Sequence, residues 1–98
     1  MLHEVVAAAL KELPKQMAEV NRALNDNDAA ALRLAAHGLK GCVRYFGDLP
    51  LYRQALEIEM LANAGRLEAA AGLRNPLESE ADSLTRILRA YLDSGNGR

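Results

Sequence analysis

The chain of 98 residues has the length of one small domain, and its core must be aliphatic because 50% of the residues are hydrophobic and only 4% are aromatic. A formal net charge of −1 argues against a general binder of nucleic acid or of a membrane surface, which would need an excess of basic residues. The sequence has no run of about 18 apolar residues and no signal-peptide pattern, so we expect no membrane insertion. The single cysteine, Cys42, cannot form an internal disulfide and indicates a reduced, cytoplasmic protein.

The first two predicted helices carry apolar residues at spacings of three and four, which is the pattern of an amphipathic helix. The first pattern runs from Leu2 to Leu24 and contains Pro14, which should kink this helix or split it into a short lead-in and a main helix. The turn 25–28, Asn-Asp-Asn-Asp, is rich in residues that cap a helix N-terminus. The second helix should therefore follow this turn and continue to Phe46.

The third predicted helix follows the segment 47–50, Gly-Asp-Leu-Pro, because Gly commonly ends a helix and Pro suits the first turn of the next one. This helix should end at the turn 64–66, Ala-Gly-Arg. A short extra helix is predicted around residues 67–73. Gly72 and Pro76 should keep it from running straight into the last helix.

The last helix has the clearest start signal in the chain. Asn75 can act as its N-cap, Pro76 suits the first helical position, and Glu78 stands where a capping-box acid would stand. An apolar pattern then continues to Tyr91. Residues 94–98, Ser-Gly-Asn-Gly-Arg, are predicted to form a flexible C-terminal tail.

These four amphipathic segments predict an all-α fold, an up-and-down antiparallel four-helix bundle with the extra short helix at 67–73. Apolar seams with spacings of three and four pack at shallow angles, and short connections join neighbouring helices. Residues 1–93 should form one domain. A single copy suffices to bury the four seams, so we expect a monomer.

A polar stripe on the second helix is the best candidate for chemistry. Arg33, His37, Lys40 and Arg44 are spaced four, three and four residues apart, which places them on one narrow face at about 100° per residue. Cations therefore surround a histidine on a polar flank of the helix. A phosphoryl group on the imidazole would carry about two negative charges and would suit that field well.

Two glycines lie in the middle of the same helix, where each should cost about 0.5–1 kcal/mol relative to Ala. Close packing of helices could explain either Gly38 or Gly41. Gly41, however, is one turn beyond His37 and on nearly the same side. The missing side chain would open the surface beside the imidazole to the active site of a partner.

Other kinds of site are poorly supported by the sequence. Two histidines and one cysteine, far apart along the chain, do not form a metal-ligand spacing, so no metal site is predicted. No Ser/His/Asp or Cys/His set suggests nucleophilic hydrolysis. His3 has no basic surroundings like those of His37 and is expected to be incidental.

The run 35–41, Ala-Ala-His-Gly-Leu-Lys-Gly, resembles the A-H-x-L-K-G signature around the phosphorylated histidine of histidine-containing phosphotransfer (HPt) domains. Gly47 matches the glycine that ends this helix in the family, and the residues from Leu51 to Glu59 fit the next helix at the family's spacing. The resemblance covers nearly the whole chain and implies an HPt-like bundle. The family more often has Thr, Ser or Ala at Gly38, so this glycine is expected to loosen the helix beside the histidine.

The resemblance implies roles for the matched positions. His37 would be the phosphoryl acceptor and then the donor, through its outer ring nitrogen. Lys40 would balance the phosphoryl charge, Gly41 would give access, and Glu59 would hold the other ring nitrogen and fix the tautomer. Further contacts to the partner are predicted from the geometry of this face for Arg33, Leu34, Gly38 and Arg44.

The predicted function is that of a phosphorelay intermediate in two-component signal transduction. His37 would take a phosphoryl group from a receiver-domain aspartate and pass it to another receiver domain, and a hybrid sensor histidine kinase is a further candidate partner. The receiver would supply Mg²⁺, and this chain would bind no cofactor. Because the chain has no G-x-x-x-x-G-K phosphate loop, it is predicted to be a phosphocarrier and not a stand-alone enzyme.

Two alternatives stay open from the sequence. The chain could be an HPt-like substrate module of a chemotaxis-type histidine kinase, which would receive the phosphoryl group from ATP through a separate catalytic domain. It could also be a non-catalytic adaptor that binds receiver domains and transfers nothing. The intact His37, Lys40 and Gly41 disfavour the adaptor, which would be expected to have lost the histidine.

Overall fold

The computed structural model describes residues 2–96, and this part of the chain is helical with no strand. Four helices are long and one is short, which confirms the all-α helical bundle. Their bounds are α1 Leu2–Asn25, α2 Ala29–Val43, α3 Pro50–Asn63, α4 Leu67–Ala71 and α5 Arg74–Asn96, and a 3-10 turn at Arg44–Phe46 extends α2. Within the described range, no helix combines the length and apolar character that crossing a membrane would require.

The bundle is organised around α2, which packs against α1 on one side and α3 on the other, while α5 packs against α1 and α3. Neighbouring helices run antiparallel. Cys42, near the end of α2, contacts Ala9 early in α1, whereas Gly38, one turn earlier, faces Gln16 further along α1. The α1–α5 contact follows the same rule, because Asn21 near the end of α1 bonds to Glu78 near the start of α5.

The predicted apolar seams form the core. The apolar seam of α3, formed by Leu51, Ala55, Ile58 and Ala62, is at most 3% exposed at each residue, and all core residues are aliphatic. Leu2 and Tyr91, at the outer ends of their predicted seams, are instead 54% and 44% exposed. The helices α1 and α5 are longer than α2 and α3, so their outer ends have fewer helices to pack against. The buried core comprises Val6, Ala9, Leu13, Val20, Ala23, Leu24, Leu32, Ala35, Ala36, Leu39, Val43, Leu51, Ala55, Ile58, Ala62, Ala70, Leu77, Ala81, Leu84 and Leu88.

The predicted ends of α2 and α3 are confirmed. Asp28 caps α2, and its Oδ1 accepts a hydrogen bond of 3.1 Å from the backbone N–H of Ala31. Pro50 occupies the first turn of α3. Gly47 and Gly65 have φ values of 88° and 75°, the left-handed region that glycine enters at little steric cost.

The prediction that Pro14 would split the first helix is wrong, because α1 is one helix of 24 residues. Buried residues continue in one seam on both sides of the proline, at Leu13 before it and at Val20 and Leu24 after it. An interior proline costs a helix about 3 kcal/mol. The burial of a continuous apolar seam exceeds this cost, since each large aliphatic side chain contributes about 1.5–3 kcal/mol.

The extra helix is confirmed as α4, and a turn at residues 72–73 separates it from α5. The predicted start of the last helix is wrong by two residues, because the first helical residue was predicted at Pro76 and lies at Arg74. Since α5 begins at Arg74, Asn75 is inside the first turn and is not the N-cap. Pro76 is tolerated there because the first N–H groups of a helix have no partner within the helix. Glu78 binds the Asn21 side chain on α1 instead of closing a capping box.

At the C-terminus, α5 continues through Asn96, beyond the predicted start of the tail at Ser94. No proline blocks this continuation, and one glycine weakens a helix by only about 1 kcal/mol relative to Ala. Gly97 and Arg98, the last two residues of the predicted tail, lie outside the described residues.

Candidate functional site

His37 lies in the middle of α2 and is 68% exposed. Its Nδ1 atom is 3.0 Å from Oε2 of Glu59 on α3. The residues just before them, Ala36 and Ile58, are both fully buried. The side chains of His37 and Glu59 therefore sit at the solvent edge of the α2–α3 interface, and packing of the two helices brings them together.

Lys40 belongs to the same cluster. Its Nζ atom is 2.6 Å from Oε1 of Glu59, and the side chains of Lys40 and Glu59 are only 17% and 18% exposed. One carboxylate thus contacts the imidazole with one oxygen and an ammonium group with the other. The ammonium of Lys40 and, secondarily, the hydrogen bond from His37 hold the pKa of Glu59 below its ordinary value, while partial burial acts in the opposite direction.

The ionised carboxylate determines the imidazole tautomer. A carboxylate can only accept hydrogen bonds, so the Nδ1 atom of His37 must carry a proton and donate it to Glu59. In the neutral ring, Nε2 then has the free lone pair. Because the two ring nitrogens point in nearly opposite directions, Nε2 is directed away from Glu59 and α3. The arrangement therefore offers an exposed nitrogen nucleophile with a fixed tautomer.

The two glycines beside the histidine have different surroundings. A Cβ atom at Gly41 would have no neighbouring atom within 4 Å, so the surface there is open. A Cβ atom at Gly38 would lie 2.5 Å from Oε1 of Gln16, because the side-chain amide of this α1 residue occupies that space. The sequence reasoning did not identify Gln16. The one signal in the sequence that could have indicated this contact is the glycine at position 38, which leaves room for a side chain from another helix.

The surface around His37 is charged on one side and apolar on the other. At about 100° per residue, Lys40 and Arg33 lie toward α3, whereas Leu34 and Gly41 lie toward α1. Arg33 and Arg44 are exposed. Leu34 and Tyr45 are exposed by 61% and 76% and add apolar surface to this face of α2.

An open groove of about 700 Å³ runs between the first half of α1 and the second half of α2. Its surface is mostly apolar, and its edge at Gly38 and Gly41 is next to His37. Other lining residues include Val5, Ala8, Ala9, Gln16, Cys42 and Tyr45. A concave apolar surface beside an exposed nucleophile is suited to docking a partner protein.

The side chains that could bind a metal ion elsewhere in the chain are separate from the cluster of His37, Lys40 and Glu59. Cys42 is half-buried, burial raises the pKa of its thiol, and its Sγ lies 3.8 Å from the backbone oxygen of Ala9. Burial with a raised pKa describes an inert packing residue. Among residues 2–96, no three His, Cys, Asp or Glu side chains are grouped so that they could hold a metal ion.

Comparison with known proteins identifies the family. A family model described as the Hpt domain matches residues 4–93, nearly the whole chain. No curated protein and no solved structure gives a significant match. Hpt domains are phosphocarrier modules that interact with the receiver domains of two-component systems. The helical bundle is the fold expected for this family, and the chain therefore belongs to the Hpt domain family of histidine phosphotransfer modules.

Proposed function

We propose that this chain is a phosphorelay intermediate that accepts a phosphoryl group on Nε2 of His37 from a receiver-domain aspartate and passes it to a second receiver. The observation that carries the proposal is the 3.0 Å contact between Nδ1 of His37 and the carboxylate of Glu59. This contact leaves Nε2 unprotonated, and the side chain is 68% exposed. A nucleophile for a phosphoryl group on another protein needs both properties.

In the accepting step, the lone pair of Nε2 attacks the phosphorus of the aspartyl phosphate. A P–N bond forms, the P–O bond to the aspartate breaks, and the aspartate leaves as a carboxylate with the bonding electrons. The proton on Nδ1 stays in place, so the phosphorylated ring carries a positive charge that Glu59 offsets. Transfer to the second receiver is the reverse of this step on another aspartate.

The cations near His37 would stabilise the phosphorylated form. A phosphoryl group brings about two negative charges to this surface. Lys40 is held beside the ring by its ion pair with Glu59, and Arg33 and Arg44 are exposed on the same face. Mg²⁺ would be supplied by the receiver and would polarise the transferring group, and this chain would bind no cofactor of its own.

The receiver would dock over His37 and the neighbouring apolar groove. Gly41 leaves the approach to the imidazole open, and Leu34 adds an exposed apolar contact one turn before the histidine. The guanidinium groups of Arg33 and Arg44 would face acidic groups around the receiver's active site. The monomeric state, the cytoplasmic location and a hybrid sensor kinase as partner stay predictions.

The test is phosphoryl transfer from a panel of phosphorylated receiver domains in the presence of Mg²⁺. We expect an acid-labile, alkali-stable label that disappears in His37→Gln and persists in His3→Gln, which removes the other exposed histidine. A label that survives His37→Gln would show that another residue is the acceptor. Labelling only by ATP and a chemotaxis-type kinase would favour the substrate module, and no labelling by any donor would favour the adaptor.

A further inference from the structure

The side of His37 that faces α1 carries a polar group that the proposed mechanism does not use. The Oε1, Cδ and Nε2 atoms of Gln16 lie 2.5, 3.0 and 3.3 Å from the position that a Cβ atom would take at Gly38. The whole carboxamide therefore lies against the backbone of α2 at the residue that follows the histidine. Such an approach requires glycine at position 38.

The orientation of the imidazole makes this side important. Glu59 holds Nδ1 on the α3 side, so Nε2 points away from α3. Two of the α2 positions on this side, Gly38 and Gly41, are glycine, and Leu34 lies one turn before the histidine. Neither glycine places a side chain between a phosphoryl group on Nε2 and the amide of Gln16.

The amide of Gln16 has hydrogen-bonding capacity to spare. None of the side-chain hydrogen bonds within residues 2–96 involves Gln16, although the residue is only partly exposed. Its oxygen is the atom nearer to position 38, and the NH₂ group is further from the α2 backbone. Two N–H donors are thus available at the edge of the groove nearest to His37.

We propose that Gln16 is a second phosphoryl-contacting residue of this site, whose side-chain amide donates a hydrogen bond to a phosphoryl oxygen on phosphorylated His37. It would act from α1, opposite Lys40 and Glu59, and would remain uncharged at any pH. The ligand is a phosphoryl group on nitrogen, so this inference rests on the proposed function. A neutral donor also separates the phosphoryl group from Glu12, which lines the same groove one turn earlier on α1.

The test compares the equilibrium between phosphorylated receiver and phosphorylated Hpt domain in the full chain. Gln16→Ala should lower the labelled fraction of the domain relative to the receiver by roughly tenfold, the effect of losing one hydrogen bond to a charged group. Gln16→Glu should lower it further, because a carboxylate repels the phosphoryl group. The ³¹P resonance of the phosphohistidine should also move in Gln16→Ala. The matched control is Gln54→Ala on α3, which should leave both readouts unchanged.

A double-mutant cycle separates contact from packing. Gly38→Ala should displace the amide and reproduce the effect of Gln16→Ala, but it should have no further effect in the Gln16→Ala background. A wild-type equilibrium and ³¹P shift in Gln16→Ala, with labelling still dependent on His37, would overturn this inference and leave the proposed function intact. If the wild-type domain accepted no label from any donor, both would fail together.

Discussion

Oε2 of Glu59 lies 3.0 Å from Nδ1 of His37, although the two residues are 22 positions apart in the sequence. Its other oxygen lies 2.6 Å from the ammonium of Lys40. One carboxylate on α3 therefore orients the histidine of α2 and also holds the one lysine of that helix. The reactivity of His37 should depend on α3 as much as on the signature sequence of its own helix.

Replacement of Glu59 should separate orientation from charge. Glu59→Ala removes the acceptor for Nδ1–H and should slow phosphoryl transfer by roughly tenfold or more, the effect of losing one charge-assisted hydrogen bond. Glu59→Gln should be less severe, because its amide oxygen can still accept from Nδ1. Transfer rates and ¹⁵N NMR of the imidazole measure both effects. An unchanged rate and an unchanged Nδ1–H tautomer in Glu59→Ala would contradict the role given to this residue.

The stability of the fold should depend on pH through Glu59. Lys40 holds the pKa of this carboxyl below its ordinary value of 4.5 in the folded chain. A group with a lowered pKa in the folded state stabilises the fold above the unfolded pKa and loses that contribution as the pH falls through the folded pKa. The free energy of unfolding of wild type should therefore exceed that of Glu59→Gln by more near neutral pH than well below pH 4.5.

Urea denaturation at a series of pH values measures this difference. In a Lys40→Met background, the change with pH in the stability difference between Glu59 and Glu59→Gln should be smaller, because the ammonium group is the largest cause of the lowered pKa of Glu59. A gap between wild type and Glu59→Gln that stayed constant across the acidic range would contradict the assigned ion pair.

Gly41 should be important for access and not for folding. Because a Cβ atom at this position would have no neighbour within 4 Å, Gly41→Leu should raise the free energy of unfolding by about 1 kcal/mol through helix propensity. The same side chain would stand beside His37 and should block close approach of a receiver. Ala90→Leu places the same leucine side chain at an exposed position of α5 and should leave transfer unchanged. Normal transfer by Gly41→Leu would mean that the receiver approaches from another side.

Local chemistry in the sequence predicted much of this architecture. Asp28, Pro50 and Gly65 mark helix ends that depend only on neighbouring residues, and the structure places all three as predicted. Pro14 does not split the first helix, because its local cost is outweighed by a seam whose burial depends on the other helices. Asn75 failed as a cap for a similar reason, since Glu78 is engaged by α1.

In the candidate site, too, features within one helix could be predicted from the sequence, whereas contacts between helices could not. His37, Lys40 and Gly41 share one helix, so their arrangement follows from the geometry of that helix. Glu59 could be named only through the family resemblance, because no local rule connects it to a residue on α2. Gln16 could not be named at all. Its contact with Gly38 depends on the register of α1 against α2, which spacing within one helix does not determine.

Two leucines on α2 offer a matched test of folding against docking. Leu39 is fully buried, so Leu39→Ala should lower the free energy of unfolding by about 2–5 kcal/mol through the lost burial and the cavity. Leu34 is 61% exposed on the side that faces the groove, so Leu34→Ala should leave stability within about 0.5 kcal/mol of wild type. Its expected effect is on transfer, as a weaker affinity for the receiver.

Denaturant unfolding measures the free energy of unfolding of each variant. The dependence of the transfer rate on receiver concentration measures the affinity for the receiver. A docking contact should raise the receiver concentration needed for half-maximal transfer and leave the rate at saturation unchanged, because Leu34 is apolar and takes no part in the hydrogen bond that orients the imidazole. If Leu34→Ala behaved as wild type in transfer, the apolar part of the docking surface would have to lie elsewhere, on Tyr45 and the groove between α1 and α2. Loss of stability in Leu34→Ala would instead contradict its exposed position in the bundle.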